Sequence, residues 1–183
     1  KKILEPASGK GSFAKEIVKR LFQSSILYNF SFKDALIENV RFVELNTAAF
    51  LELTISIDKI IKELTKEKND LSSKICLQAD FVTLIFDRTF DCIVGNPPYI
   101  RHELISEKNK TFYKANFKTF KYRADLYVVF YEKSLRLLGK NGILSFICSN
   151  RWLNNQYGEG LRELIAKEYN LIKLLNIEKT SPF

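Results

Sequence analysis

The sequence predicts an α/β protein built on a Rossmann-like, doubly wound, mostly parallel sheet, and three observations carry that prediction. Short strand-like apolar runs alternate with longer segments of helical apolar spacing. A glycine turn joins the first strand to the first helix. No internal repeat or low-complexity tract breaks the alternation, so residues 1–183 read as one domain.

Lys2-Ile3-Leu4-Glu5 is the first strand, Pro6-Ala7-Ser8-Gly9-Lys10-Gly11 the turn, and Ser12 to about Gln23 the helix, with Phe13, Ile17, Val18, Leu21 and Phe22 at helical spacing. Residues between Gln23 and Arg41 receive no assignment. Val40–Glu44 is a second strand, followed by a helix over Ala48–Lys66 with Leu53, Ile57, Ile60, Ile61 and Leu64 on one face. Lys74–Gln78 and Phe90–Val94 are the third and fourth strands. The pattern then lapses until Asp125, where Leu126 to Leu138 form an amphipathic helix closed by Gly139 and Gly142. Ile143–Cys148 is a fifth strand, Gly160–Glu168 a helix, and Leu171–Ile177 a sixth strand. Ligands of such sheets sit at the carboxyl ends of the strands.

Composition narrows the chemistry. Lys and Arg number 29 against 21 Asp and Glu, a net charge of +8. The three cysteines form no CxxC pair, which argues against a zinc ribbon or disulfide scaffold and for a reduced, cytoplasmic setting. With His102 as its single histidine, the chain holds no HExxH site and no histidine-rich metal cage, so no metal is expected. No apolar run approaches the ~18 residues of a membrane span. The absence of methionine predicts that the chain is a piece of a longer polypeptide.

Backbone N–H groups of a glycine turn that opens a helix attract anions and polar cofactors. A Walker A loop does not align. The dinucleotide pattern is met by Gly9-Lys10-Gly11-Ser12-Phe13-Ala14, but Glu44 lies well beyond the roughly 20 residues expected for its ribose acid. S-Adenosylmethionine enzymes use the same turn with an acid just before it, and Glu5 is placed to receive the ligand's ammonium. A plain tight turn is the competing reading. Glu44, ending the second strand, can accept from ribose hydroxyls of any adenosyl cofactor. Asp80, ending the third, can accept from an adenine amine, with Phe81 offering an apolar face beside it.

The fourth strand ends in Gly95-Asn96-Pro97-Pro98-Tyr99, the most informative stretch of the chain. An amine conjugated to a ring, such as adenine N6, is a poor nucleophile. Two acceptors that take its two N–H bonds aim the nitrogen lone pair at an electrophile, and Asn96 Oδ1 with the Pro97 carbonyl can be that pair. Pro98 holds Pro97 extended, and neither proline offers a competing N–H. Tyr99 can stack on a planar target, and Gly95 would let it approach. A glutamine amide poses the same problem, so this tetrapeptide also suits glutamine methylation.

Beyond it lie Arg101, Lys108, Lys110, Lys114, Lys118, Lys121 and Arg123 against Glu103 and Glu107, interleaved with Phe112, Tyr113, Phe117, Phe120 and Tyr122. Such a loop suits phosphates and unstacked bases, with Arg101, Lys121 and Arg123 as candidate substrate contacts; a solvated loop with its aromatics packed inward is equally compatible. His102 reads as a loop residue. Arg151 and Trp152 read as bordering the cleft, although core packing explains the Trp equally well.

Here the chain resembles the N6-adenine DNA methyltransferases of restriction-modification systems. Leu4–Phe13 is similar to their cofactor motif, Val43–Asn46 to the ribose motif, Ala79-Asp80-Phe81 to the adenine motif and Asn96–Tyr99 to the catalytic motif. The motif order resembles the gamma class, and Asn96–Arg101 with Ser149-Asn150-Arg151-Trp152 resembles its Eco57I-like, type IIG members. The resemblance implies a class I S-adenosylmethionine-dependent fold, with Pro6, Ala7, Gly9, Gly11 and Phe13 around the cofactor and Phe81 and Phe130 flanking its adenine. It further implies Phe183 stacking on a target base extruded from double-stranded DNA. An N-terminal cofactor segment, a C-terminal recognition domain and a fused endonuclease are parts that such enzymes would carry elsewhere in the polypeptide. Protein or RNA methylation on the same fold, or a noncatalytic nucleic-acid-binding domain, are the alternatives.

Overall fold

A computed structural model describes residues 1–177; Phe183 lies outside the described residues. The described chain divides into two compact units, one formed by Lys1–Pro97 and Ser134–Ile147, the other by Pro98–Lys133 and residues 148–177.

The first unit holds a five-stranded sheet made of β1 (Ile3–Glu5), β2 (Val40–Glu44), β3 (Cys76–Gln78), β4 (Phe90–Gly95) and β5 (Leu138–Phe146). Every pairing is parallel, and the order is β3-β2-β1-β4-β5. The chain therefore winds from β1 outward to β3 and returns to start again at β4. That reversal places a topological switch point between β1 and β4, the Rossmann-like arrangement expected.

Helices α1 (Ser12–Tyr28), α2 (Phe32–Asn39), α3 (Thr47–Thr65) and the single turn α4 (Ser72–Ile75) fill the crossovers. Ala14, Val18, Leu36, Leu53, Ile57 and Ile61 are fully buried against Val40 and Phe42 of β2, forming one apolar core. The stretch left unassigned from the sequence is helical. α1 continues to Tyr28 and stops at Asn29 in a left-handed conformation, and Ser31 accepts from the Asp34 N–H to start α2. The third strand is shorter than expected because Asp58 captures the Ser72 N–H at 3.0 Å and hydroxyl at 2.7 Å, winding Ser72–Ile75 into a turn. β5 starts earlier than expected: Gly139 and Gly142 sit in an irregularity of the ladder, and a Cβ at Gly142 would stand 2.9 Å from the Phe90 carbonyl.

The second unit contains a short 3-10 turn at His102–Leu104, α5 (Glu107–Asn116), most of α6 (Leu126–Arg136), α7 (Arg151–Asn154), a further 3-10 turn at Gln156–Gly158 and α8 (Glu159–Glu168). The sixth strand expected over Leu171–Ile177 is not formed; Leu171, Ile172, Leu174 and Leu175 are exposed. Their apolar pattern states a need for burial, and no ladder among the described strands supplies it. Among the described residues no helix is long and apolar enough to cross a membrane, and no group of acids, histidines and cysteines could hold a metal ion. All three cysteines are free.

Candidate active site

The carboxyl end of β1 delivers Glu5 into the first unit's switch point. Its side chain is 1% exposed, and Oε2 has no hydrogen-bond partner among the described residues. Burial pushes its carboxyl up to about 8, with the Ser8 hydroxyl opposing and the charge of Glu44 adding to the rise. A desolvated carboxyl with a spare oxygen is a receptor for a cation, whose charge would favour the ionised form.

The turn that follows is held by backbone bonds. Ser8 N–H donates to Val43 O at 2.9 Å, and Gly11 N–H to Ser8 O at 2.9 Å. Gly9 and Gly11 have φ of +53° and +89°, values that L side chains rarely adopt. At Gly11 a Cβ would also meet Leu53 Cδ1 at 2.9 Å, whereas at Gly9 it would stand in open space. The turn is thus packed against α3 at one glycine and open at the other. Pro6 is buried, Ala7 half-buried and Phe13 half-buried.

Glu44 does more than its strand-end position announces. Its Oε2 accepts from Gly9 N–H at 2.7 Å and its Oε1 from Asn46 N–H at 2.7 Å, so it ties the glycine turn to the start of α3. A carboxylate has about four lone-pair sites, which leaves two for a ligand's hydroxyls. Asp80 accepts from the Val82 N–H through Oδ1 at 2.9 Å, while its main-chain carbonyl receives Leu84 N–H. Phe81 beside it is 2% exposed, its ring 6.4 Å from that of Phe86. It lies within the packed interior.

Asn96 and Pro97 follow β4 directly at the sheet's carboxyl end, with Asn96 half-buried and Pro97 buried. Gly95, the last residue of β4, stands beside the end of β1. A Cβ there would lie 3.4 Å from Pro6 Cδ, 3.7 Å from Glu5 Cγ and 3.8 Å from the Phe146 ring. These are ordinary van der Waals distances to residues of β1, the turn after it and β5.

In the second unit Tyr99 is 51% exposed, its ring 6.4 Å from Tyr127. Phe130, on α6, is buried. The interleaved aromatics of the basic loop turn largely inward: Tyr113, Phe117 and Phe120 are buried edge to face, with ring centroids 5.3 and 6.2 Å apart about Tyr113. Phe112 and Tyr122 keep exposure, so the base-stacking surface is much smaller than the sequence allowed. His102 is a structural residue, its ring stacked on Phe120 and its Nδ1 3.3 Å from the Ala124 carbonyl. Trp152 is buried beside Tyr131, the core alternative. Arg101, Lys121 and Arg123 are exposed; Arg123 pairs with Glu103. Buried Glu132 of α6, which no sequence signal marks, holds this loop by accepting Lys118 N–H at 3.1 Å, Thr119 N–H at 2.8 Å and the Thr119 hydroxyl at 2.6 Å.

The family model described as Eco57I restriction-modification methylase matches residues 10–183. The chain belongs to the Eco57I restriction-modification methylase family. It is 36% identical over its whole length to the Type II methyltransferase M.BstVI of Geobacillus stearothermophilus, and spans 34% of that relative, about a third. Its fold is similar to that in a DrdV–DNA complex, with TM-score 0.71, 17% identity and coverage of 91% of this chain and 19% of the other. A candidate class I S-adenosylmethionine-dependent methyltransferase from Listeria monocytogenes is also similar in fold, with TM-score 0.62, 14% identity and coverage of 91% and 44%. The Eco57I match takes in Gly11, Glu44, Asp80 and Asn96–Tyr99 and begins just after Gly9.

Proposed function

We propose that this chain is the catalytic part of a DNA methyltransferase that transfers a methyl group to adenine N6 from S-adenosylmethionine. The observation that carries the reading is the Asn96-Pro97-Pro98-Tyr99 sequence directly after β4, at the same sheet end as the buried, half-satisfied carboxylate of Glu5, in a chain of this family.

The residues of the first unit fit that cofactor. Glu5 would take its ammonium, the open Gly9 turn would lie along its amino-acid moiety with Pro6, Ala7, Gly11 and Phe13, Glu44 would accept from the ribose, and Asp80 from the adenine amine. When bound, the cofactor supplies a sulfonium methyl, an electrophile that needs no metal. Phe81 and Phe130 are proposed for the adenine through their surroundings.

The chain's own chemistry is to hold an unreactive amine. Asn96 Oδ1 and the Pro97 carbonyl accept its two N–H bonds, which favours a more tetrahedral nitrogen and aims its lone pair. Transfer leaves the nitrogen cationic, and a proton departs afterwards, so no strong base is required beforehand. Tyr99 stacks on the purine, which must leave the duplex because N6 inside the stack is out of reach. Double-stranded DNA is thus the proposed partner, with recognition supplied by other parts of the polypeptide and with Phe183 and Lys121 as further substrate contacts.

The test offers full-length protein and methyl-tritiated S-adenosylmethionine to duplex DNA, RNA and protein. Label in DNA that co-elutes with N6-methyladenine after digestion is the expected result. Label in a glutamine side chain or in RNA overturns the substrate assignment.

A further inference from the structure

Two adjoining pockets in the second unit share Arg101, Asp125 and Arg151. One, of about 300 Å³, is completed by Tyr99, Tyr127 and Ser149. The other, of about 420 Å³, is completed by Glu103, Arg123 and Tyr157. Together they form a groove running from the aromatic residue of the Asn96–Tyr99 sequence to Arg123.

Its charges are unevenly satisfied. Arg123 is engaged by Glu103. Arg101 and Arg151 have no carboxylate partner among the described residues. Asp125 is committed elsewhere: Oδ1 accepts the His102 N–H at 3.1 Å and Oδ2 the Tyr157 hydroxyl at 3.4 Å.

The roots of the two arginines are also fixed. Leu126 N–H donates to Ile100 O at 2.9 Å, so bonds from residues 125 and 126 bracket Arg101 on both sides. Arg151 N–H donates to Ser149 Oγ at 3.3 Å, and its neighbour Trp152 is buried. Two planar forks on pinned backbone, neither in an ion pair with Asp125 or Glu103 of the lining, face one groove and can receive a tetrahedral oxyanion.

We propose that Arg101 and Arg151 clamp a backbone phosphate of the DNA strand carrying the target base, with Asp125 as the positioning residue for Arg101 and Glu103 as an internal competitor for Arg123. This rests on the DNA reading above. Phosphate contacts fix register without reading sequence, so the clamp holds any duplex the enzyme meets.

The experiment measures the affinity of full-length protein for cognate and unrelated duplexes across a salt series. The Arg101→Ala/Arg151→Ala double variant should flatten the slope of log K against log salt by roughly one, the share of one phosphate, and each single variant by less, alike on both duplexes. Glu103→Gln should steepen it by freeing Arg123. A single methylphosphonate at the clamped position should weaken the wild type and leave the double variant unchanged. An unaltered slope in the double variant, or a scan that finds no such position, overturns the clamp while DNA labelling by the wild type stands. Failure of the wild type to label DNA overturns the reading beneath it and the clamp together.

Discussion

Two loops of this protein follow strand ends and handle charge in opposite ways. The Glu5–Gly11 turn of the first unit buries a single carboxylate, leaves one of its oxygens unpartnered and holds its own backbone through Val43, Glu44 and Ser8. The 98–125 stretch of the second unit does the reverse: it exposes most of its cations, buries Tyr113, Phe117 and Phe120, and is anchored through two acids, Glu132 and Asp125. A charge taken out of water binds one small counter-charge strongly and responds to pH. Cations left in water bind a polyanion through many weak, salt-screened contacts. The difference matches the two roles proposed above, a small cationic cofactor for one region and a long anionic strand for the other.

The largest effect expected separates chemistry from both kinds of binding. Asn96→Ala in the full-length enzyme should lower methylation on the order of a thousandfold or more, as loss of one preorganised hydrogen-bonding group does elsewhere. Cofactor affinity by calorimetry should be retained. Activity near that of the wild type would remove the two-acceptor mechanism.

The second contrast is pH. Because Glu5 sits at about 8 when folded and near 4.5 when unfolded, the folded chain holds a proton the unfolded chain has released between those values. Stability is therefore fully present below about pH 4.5 and falls as pH rises towards 8, at up to about 1.4 kcal/mol per unit. Glu5→Gln should flatten that dependence in urea melts while weakening cofactor binding roughly 10- to 100-fold, the worth of a charged hydrogen bond. An unchanged pH profile would show that Glu5 is not desolvated.

The smallest effect concerns the anchoring of the exposed loop. Glu132→Ala strands the buried N–H and hydroxyl of Thr119, 1% exposed, and should cost about 2–4 kcal/mol. Hydrogen exchange should show the 117–120 segment opening before β1 and β2. Uniform loss of protection across both units would instead show that Glu132 supports the whole fold.

Local chemistry made part of this legible. Gly9 and Gly11 announced positive φ, the spacing of Leu53, Ile57 and Ile61 announced α3, and Asn96–Tyr99 announced itself through rare residues in series. The basic loop was readable only as an even choice, because Phe117 and Phe120 look the same in sequence whether they face a base or a core. Arg151 was placed near the cleft by its position after the fifth strand, but its sharing of a groove with Arg101 joins residues far apart in the chain. Glu132 fell on a helix face with nothing in its neighbours to mark it as the staple for Thr119.

The sequence by itself determined the alternation of strands and helices, the glycine turn and the Asn96–Tyr99 stretch from which the acceptor pair is proposed, since each follows from residues within a few positions of one another. Only the tertiary structure decided the strand order, the protonation of Glu5, the inward turn of the aromatics and the absence of a strand over 171–177. Those depend on what each group finds beside it once water is excluded, and a chain specifies its neighbours in space only by folding.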